Sequence, residues 1–384
     1  MFVLSVCESL LHGGAETVLV DLVRGLTAHR HQVAHFTRAH GATPVPWIVE
    51  ALRDASVPCH DTQASTLADP SARRNMFGAE PDIVLFHWWG NNTFRPWPVA
   101  ADDAPGTARL GLAPASSGRP RFVIVIHNTR YQAPPGYDTY VLVSPRQRPQ
   151  VEGIDPSRVA IVPNGVDLSR FHPCAVTVRS RAGLPPNETT SADTDSGAPS
   201  GAHPGGRPFT IGRISALNEK KIPRDWVVTA AGYALEDVRF VIAGEGPLRA
   251  ALEDDARRLG VDDRFVFPGY VAKKDVPALL STFDVFCHVG GSAAEACPLA
   301  LLEACAAGVP IVSEPRGGIP DIVRHGENGL LAAGDDVAAA LRLLRDDGAM
   351  RRRLARGAHL TARELSVERQ AAAYGRLLQS ETYS

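Results

Sequence analysis

Glu295 and Glu303 bracket the densest segment of the chain, GGSAAEACPLALLEACAAGVPIV, residues 290–312. Pro298 suits the first position of a helix, where a missing N–H costs nothing. Glu295 then falls in the loop before that helix, and Glu303 lies inside it. The free N–H groups at a helix start favour anions. Carboxylates accept hydrogen bonds from sugar hydroxyls while the helix terminus takes phosphate. Two acids beside an Ala-rich apolar helix therefore suit a phosphate-bearing sugar. The bland alternative is a capping acid plus a solvated glutamate.

Other candidates end the apolar runs. In open parallel sheets ligands bind outside the carboxyl ends of the strands. In the first half those ends carry Gly13–Gly14, His87, His127, Ser144 and Asn164–Gly165; in the second, Arg213, Glu245, Gly269–Tyr270, His288–Gly291 and Arg316–Gly318. Glycine lets backbone N–H groups approach a phosphate, and arginine adds a bidentate charge. Of 40 basic residues only four are lysines, at 220, 221, 273 and 274. Codon usage in a GC-rich genome explains most of that bias, and it makes the few lysines worth locating. The stretch FHWWGNNTFRPWP (86–98) concentrates aromatic rings at and after a strand end. Rings stack on sugars, so His87, Trp88 and Asn91 are candidates for acceptor binding; filling of the core is the competing reading.

The elements that position these residues alternate. Nearly continuous apolar runs at 1–6, 31–37, 81–87, 121–127, 139–144 and 158–164 read as strands covered on both faces. Val18, Leu19, Leu22, Val23 and Leu26 repeat at helical spacing between the first two. Residues 176–208, dense in Ser, Thr, Gly, Pro and Asp, read as a flexible low-complexity insertion. The alternation restarts with FTIGRIS, VRFVIAGEGP, RFVFPGY, DVFCHVGG and VPIVSEPRGG, and the last 40 residues are helical. The fold class is α/β with two successive parallel-sheet domains, 1–175 and 209–365, and a C-terminal helix at about 366–384 packing back on the first.

Composition narrows the classes. A chain of 384 residues exceeds what one core usually supports, and 44% hydrophobic residues exclude a disordered or fibrous chain. A net charge of −2 argues against nucleic acid as partner. No run of about 18 apolar residues is present, and the first residues lack the basic region of a secretory signal. Six cysteines without a CxxC pair read as reduced thiols, which points to the cytoplasm. No helix in residues 1–182 sets basic residues opposite Leu and Phe, so membrane contact is at most weak and peripheral.

The segments GGAE (13–16), PNGVD (163–167), GRIS (212–215), AGEGP (243–247), FPGY (267–270), EACAAGVPIV (303–312), GGIPDIV (317–323) and ENGLL (327–331) occur in one order. With Glu295 and Glu303 separated by seven residues, the chain resembles the retaining nucleotide-sugar glycosyltransferases of glycosyltransferase family 4. The resemblance covers both halves. It implies the GT-B fold, two Rossmann-like domains facing across an interdomain cleft.

By that resemblance Arg213 and Lys221 grip the donor diphosphate and stabilise the charge on the departing group, with Lys220 as rival to Lys221. Glu303 binds the ribose hydroxyls, and Glu295 holds hydroxyls of the transferred sugar. The backbone of Pro298, Leu299 and Ala300 faces sugar and phosphate. His127 stands beside the donor sugar, and Gly14 leaves room for donor and acceptor to meet. Gly244 and Tyr270 lie where the nucleobase is expected. No divalent metal or other cofactor is implied; the DTD at 193–195 falls in the insertion and reads as linker composition. Cys297 departs from the pattern by standing where the family has an aromatic residue, which implies an altered sugar preference.

The expected function is transfer of a hexosyl group, from a UDP-sugar foremost, to an acceptor hydroxyl with retention. The implied route is front-face substitution with domain closure. A soluble natural-product aglycone or aminocyclitol is the expected acceptor. Alternatives are a cell-envelope, polysaccharide or glycolipid transferase of the same family, a sugar-nucleotide epimerase, or a nucleotide-sugar binding protein without turnover.

Overall fold

The computed structural model describes residues 1–7, 14–38, 46–62, 70–88, 120–171, 208–233, 235, 237–291 and 295–379. The chain divides into two compact units. The first comprises Met1–Gly165, Ala294–Cys297 and Leu365–Ser384; the second comprises Val166–Ala293 and Pro298–Glu364.

Among the described residues, the first unit is built on a parallel sheet of seven strands: β1 (Phe2–Cys7), β2 (Gln32–Arg38), β3 (Cys59–Thr62), β4 (Ile83–Trp88), β5 (Arg121–Ile126), β6 (Thr139–Leu142) and β7 (Val159–Ile161). Their order is β3-β2-β1-β4-β5-β6-β7. Successive side chains of a strand point to opposite faces, and here both faces are covered. Val3 and Cys7 of β1 join Ile83, Leu85, Val123 and Val125 in one apolar cluster. Phe2, Leu4 and Val6 join Val84, Phe86, Phe122 and Ile124 in the other. This is why the runs are continuous rather than alternating. Helices α1 (Gly14–Ala28), α2 (Pro46–Asp54) and α3 (Pro70–Phe77) connect the early strands.

Among its described residues the second unit has a six-stranded parallel sheet: β8 (Phe209–Ile214), β9 (Val238–Ala243), β10 (Phe265–Gly269), β11 (Val285–His288), β12 (Ile311–Ser313) and β13 (Gly329–Leu331), in the order β10-β9-β8-β11-β12-β13. Its helices are α4 (Trp226–Gly232), α5 (Arg249–Arg258), α6 (Val276–Leu280), α7 (Leu299–Ala306), α8 (Ile319–Ile322), α9 (Asp336–Asp346) and α10 (Gly348–Glu364). The last helix, α11 (Val367–Gln379), returns to the first unit. It packs on α1 so closely that a Cβ on Gly25 would lie 2.6 Å from that of Ala371.

Three expectations shift. The boundary set at 175 falls earlier, because Val166 onward belongs with the second unit. The segment Ala294–Cys297, expected in the second domain, groups with the first unit. Strands β3 and β13 were not anticipated; both are short edge strands, and β3 (CHDT) carries no apolar run. Apart from Pro208, the expected insertion at 176–208 lies outside the described residues.

Candidate functional site

In the second unit Arg213 is the penultimate residue of β8 and is fully buried. A buried guanidinium must spend its donors. Nη1 donates to the Val289 carbonyl at 2.8 Å, Nε to the Ser215 hydroxyl at 3.3 Å, and Nη2 to the Lys221 carbonyl. Arg213 thus ties the turn carrying Lys221 to the loop after β11. In that loop Gly291 has φ +91°, and a Cβ there would sit 2.8 Å from the Lys221 carbonyl oxygen. Glu314, just beyond β12, completes the knot. Its Oε2 accepts the Gly290 N–H at 2.7 Å and its Oε1 accepts from Arg316 at 2.9 Å. Lys221 is half-buried on this framework, whereas Lys220 is exposed.

Gly244 follows β9 with φ +140°, its N–H bonded to the Gly269 carbonyl at 2.8 Å. A Cβ there would lie 1.9 Å from the Ser215 carbonyl oxygen, so only glycine fits. Tyr270 follows β10 and is 53% exposed. Pro298 is the buried N-cap of α7, and half-buried Leu299 and Ala300 form its first turn. Glu303, one turn further, has a side chain only 13% exposed and pairs with Arg170 at 3.6 Å.

In the first unit the backbone of Glu295 forms an antiparallel bridge with Asn128. Ala296 is buried in the apolar cluster, and Cys297 packs against it. Asn164 Nδ2 donates to the Cys297 carbonyl at 3.0 Å. Gln147 Nε2 donates to the carbonyls of Ile126 and Asn128, both at 2.7 Å. Half-buried Glu295 is therefore presented on a frame of Asn128, Asn164 and Gln147.

His127 follows β5, and its Nε2 lies 3.2 Å from Nδ1 of His87 with the rings stacked. Alternation puts Ser5, Cys7, His35, His87 and His127 on one face of the sheet, where His35 Nδ1 meets the Ser5 hydroxyl at 3.1 Å and Nε2 approaches Cys7 Sγ at 3.5 Å. Burial pulls His127 down to about 4 and His35 to about 3, and burial with its two histidine neighbours carries His87 well below the ordinary value. These imidazoles are neutral at pH 7.

Two expected acceptor residues are buried. His87 is 2% exposed, and its Nδ1 faces Nε2 of His127 at 3.2 Å. Trp88 is 7% exposed and packs in the cluster of Leu4, Val84 and Phe86. Asn91 lies outside the described residues; Gly14 opens α1, and residues 8–13 lie outside the described residues as well. Sequence reasoning missed Glu314, Arg170 and Gln147. Glu314 directly follows a strand, and the rule that selected Arg316 covers it too.

Two parallel-sheet α/β units of this topology define the GT-B fold, and in the second unit Arg213 and Lys221 are knotted to a glycine loop at the strand ends. The sequence description "Glycosyltransferase Family 4" matches residues 12–170, and "Glycosyl transferases group 1" matches 207–360. The chain belongs to glycosyltransferase family 4. Over 147 residues it is 33% identical to the 2-deoxystreptamine N-acetyl-D-glucosaminyltransferase of Streptomyces fradiae, covering 37% of this chain and 34% of that one. Over 236 residues it is 32% identical to the D-inositol 3-phosphate glycosyltransferase of Salinispora tropica, covering 56% and 44%. The chain thus spans less than half the length of the curated relatives it matches. Anabaena Alr3699/HepE, solved in complex with UDP, shares the fold with a TM-score of 0.71 at 16% identity, over 98% of this chain and 99% of that one.

Proposed function

We propose that the protein transfers a hexosyl group from a nucleoside-diphosphate sugar, a UDP-sugar foremost, to a hydroxyl of a small acceptor with retention of configuration. The carrying observation is the Arg213–Lys221–Gly291 knot at the strand ends of the second unit, on a helix–sheet scaffold that also bears Glu303. Its ordered backbone and cations suit a diphosphate, whose charge grows as the glycosidic bond breaks. Half-buried Lys221 on that knot, rather than exposed Lys220, takes the diphosphate contact. Pro298, Leu299 and Ala300 turn the start of α7 towards phosphate and sugar, and Gly244 and Tyr270 border the base.

In the first unit Glu295 accepts from hydroxyls of the transferred sugar, and neutral His127 hydrogen-bonds to the same sugar. The anomeric carbon loses the diphosphate oxygen and gains the acceptor oxygen on the same face. The acceptor proton passes to the leaving phosphate. Arg213, Lys221 and the helix terminus supply the positive field, so no divalent metal is needed. Cys297 turns to the apolar cluster of the first unit where the family has an aromatic residue, and the sugar preference shifts accordingly.

The acceptor is an aminocyclitol or a related soluble aglycone in the cytoplasm. The likeness to the Streptomyces fradiae aminocyclitol enzyme supports this reading. The inositol-phosphate relative supports a cell-envelope role as the second reading. Nucleotide release from UDP- and GDP-sugars, measured with 2-deoxystreptamine, with inositol 3-phosphate and without acceptor, separates them. Release dependent on 2-deoxystreptamine is expected. Release on inositol 3-phosphate alone selects the second reading, and binding without release on any acceptor overturns transfer.

A further inference from the structure

Arg170 is a residue of the second unit that the functional reading does not use. It ends a short 3-10 turn, Leu168–Arg170, directly after PNGVD. Asp167 shapes that turn by accepting the Ser169 N–H at 3.0 Å and the Ser169 hydroxyl at 2.5 Å. From its end Arg170 sends Nη1 to within 3.6 Å of Glu303 Oε1, and Nη2 donates to the Lys273 carbonyl at 2.8 Å. The guanidinium also lies 5.4 Å from the centroid of the Phe171 ring. The two side chains are 19% and 13% exposed.

A carboxylate this enclosed is costly unless a cation and donors face it. A guanidinium engaged at both ends has little freedom of its own, and it passes that constraint to its partner. Lys273 stands three residues after Tyr270, so one fork joins Glu303 to the segment that follows Tyr270.

We propose that Arg170 is a positioning residue that sets the ribose selectivity of the donor site. It holds the Glu303 carboxylate in the orientation that accepts the 2′- and 3′-hydroxyls of a ribonucleoside diphosphate. The inference rests on the reading of Glu303 as the ribose-binding acid. A lysine at 170 keeps the charge but cannot serve Glu303 and the Lys273 carbonyl together.

The test is calorimetric binding of UDP, or of GDP where UDP does not bind, against its 2′,3′-dideoxy counterpart. It compares wild type with Arg170→Gln, Arg170→Lys, Glu303→Gln and the Arg170→Gln/Glu303→Gln pair, with thermal unfolding followed in each. Arg170→Gln is expected to weaken the ribonucleotide roughly tenfold and the dideoxynucleotide by less than about twofold, because only hydroxyl recognition is lost. Arg170→Lys falls between, and the double variant is no worse than Glu303→Gln. Full selectivity in Arg170→Gln, equal weakening of both nucleotides, or additive losses in the pair overturn the proposal. Selectivity retained in Glu303→Gln shows instead that the reading of Glu303 itself has failed, and the proposal falls with it.

Discussion

Arg213 Nη1 donates to the Val289 carbonyl at 2.8 Å from a side chain with no solvent exposure. Its other donors reach Ser215 and the Lys221 carbonyl, so the residue is a structural knot as well as a source of charge. Arg213→Lys keeps the charge and loses the fork. Each buried acceptor left unpaired costs about 1–3 kcal/mol, so this variant is expected to lose both thermal stability and donor binding. Lys221→Ala keeps its carbonyl and is expected to lose donor affinity with little change in melting temperature. Lys220→Ala changes neither by much. Calorimetry and thermal unfolding on the three variants check the order; a Lys220→Ala loss exceeding that of Lys221→Ala reverses the assignment.

Asn164 holds the Glu295 segment by its amide, with Nδ2 donating to the Cys297 carbonyl at 3.0 Å. Asn164→Ala removes that donor. Asn164→Asp goes further, turning an acceptor-only, charged group on a carbonyl oxygen in a buried place. The aspartate variant is expected to be the less stable of the two by about 1–2 kcal/mol in urea unfolding. Both are expected to lower kcat more than donor affinity, since Glu295 is displaced while the Arg213–Lys221 knot is intact. Equal stabilities, or a loss confined to donor affinity, count against this role.

The strands of both sheets were legible wherever a run is apolar on both faces, as in Phe2–Cys7 and Arg121–Ile126. Such runs satisfy two cores at once, and no other element explains them. The edge strand Cys59–Thr62 was not legible, because backbone pairing with β2 places it rather than side-chain burial. Motif order singles out Arg213, Lys221, Glu295 and Glu303 as candidates, since glycines and charges at strand ends leave a mark in sequence. The frame under them did not show. Asn128 meets Glu295, and Arg170 meets Glu303, across more than a hundred residues. Trp88 stays two-sided in sequence for a related reason: a ring at a strand end serves a ligand or a core equally well until alternation assigns its face.

The buried imidazoles give the protein a signed pH dependence. His35 and His127 titrate near 6.5 when unfolded but at about 3 and about 4 when folded, because burial penalises the charged form. A lowered histidine value means the unfolded chain binds more protons between the two values. Stability is therefore full above pH 6.5 and falls with acidity towards pH 4, at about 1.4 kcal/mol per pH unit for each imidazole. Denaturant unfolding from pH 7.5 to 4.5 is expected to show this slope, and His127→Asn removes one imidazole's share. Ring nitrogen shifts in NMR are expected to stay at neutral values for both residues from pH 8 to 5. A titration of His127 near 6.5 in the folded protein contradicts the burial argument.

Trp88 offers a direct choice between core and ligand. Its side chain extends from β4 on the face shared with Val84 and Phe86, among Leu4, Phe36 and Ile124. At 7% exposure it has almost no surface to offer an acceptor. Removing a buried indole costs about 3–5 kcal/mol through lost transfer energy and the cavity left behind. Trp88→Ala is therefore expected to unfold at clearly lower temperature, and Trp88→Phe to recover much of the loss. Below its melting point the phenylalanine variant is expected to keep the wild-type acceptor KM and kcat. A raised acceptor KM in Trp88→Phe, at unchanged melting temperature, reverses the assignment, because a stacking platform loses contact area to the acceptor without weakening the core.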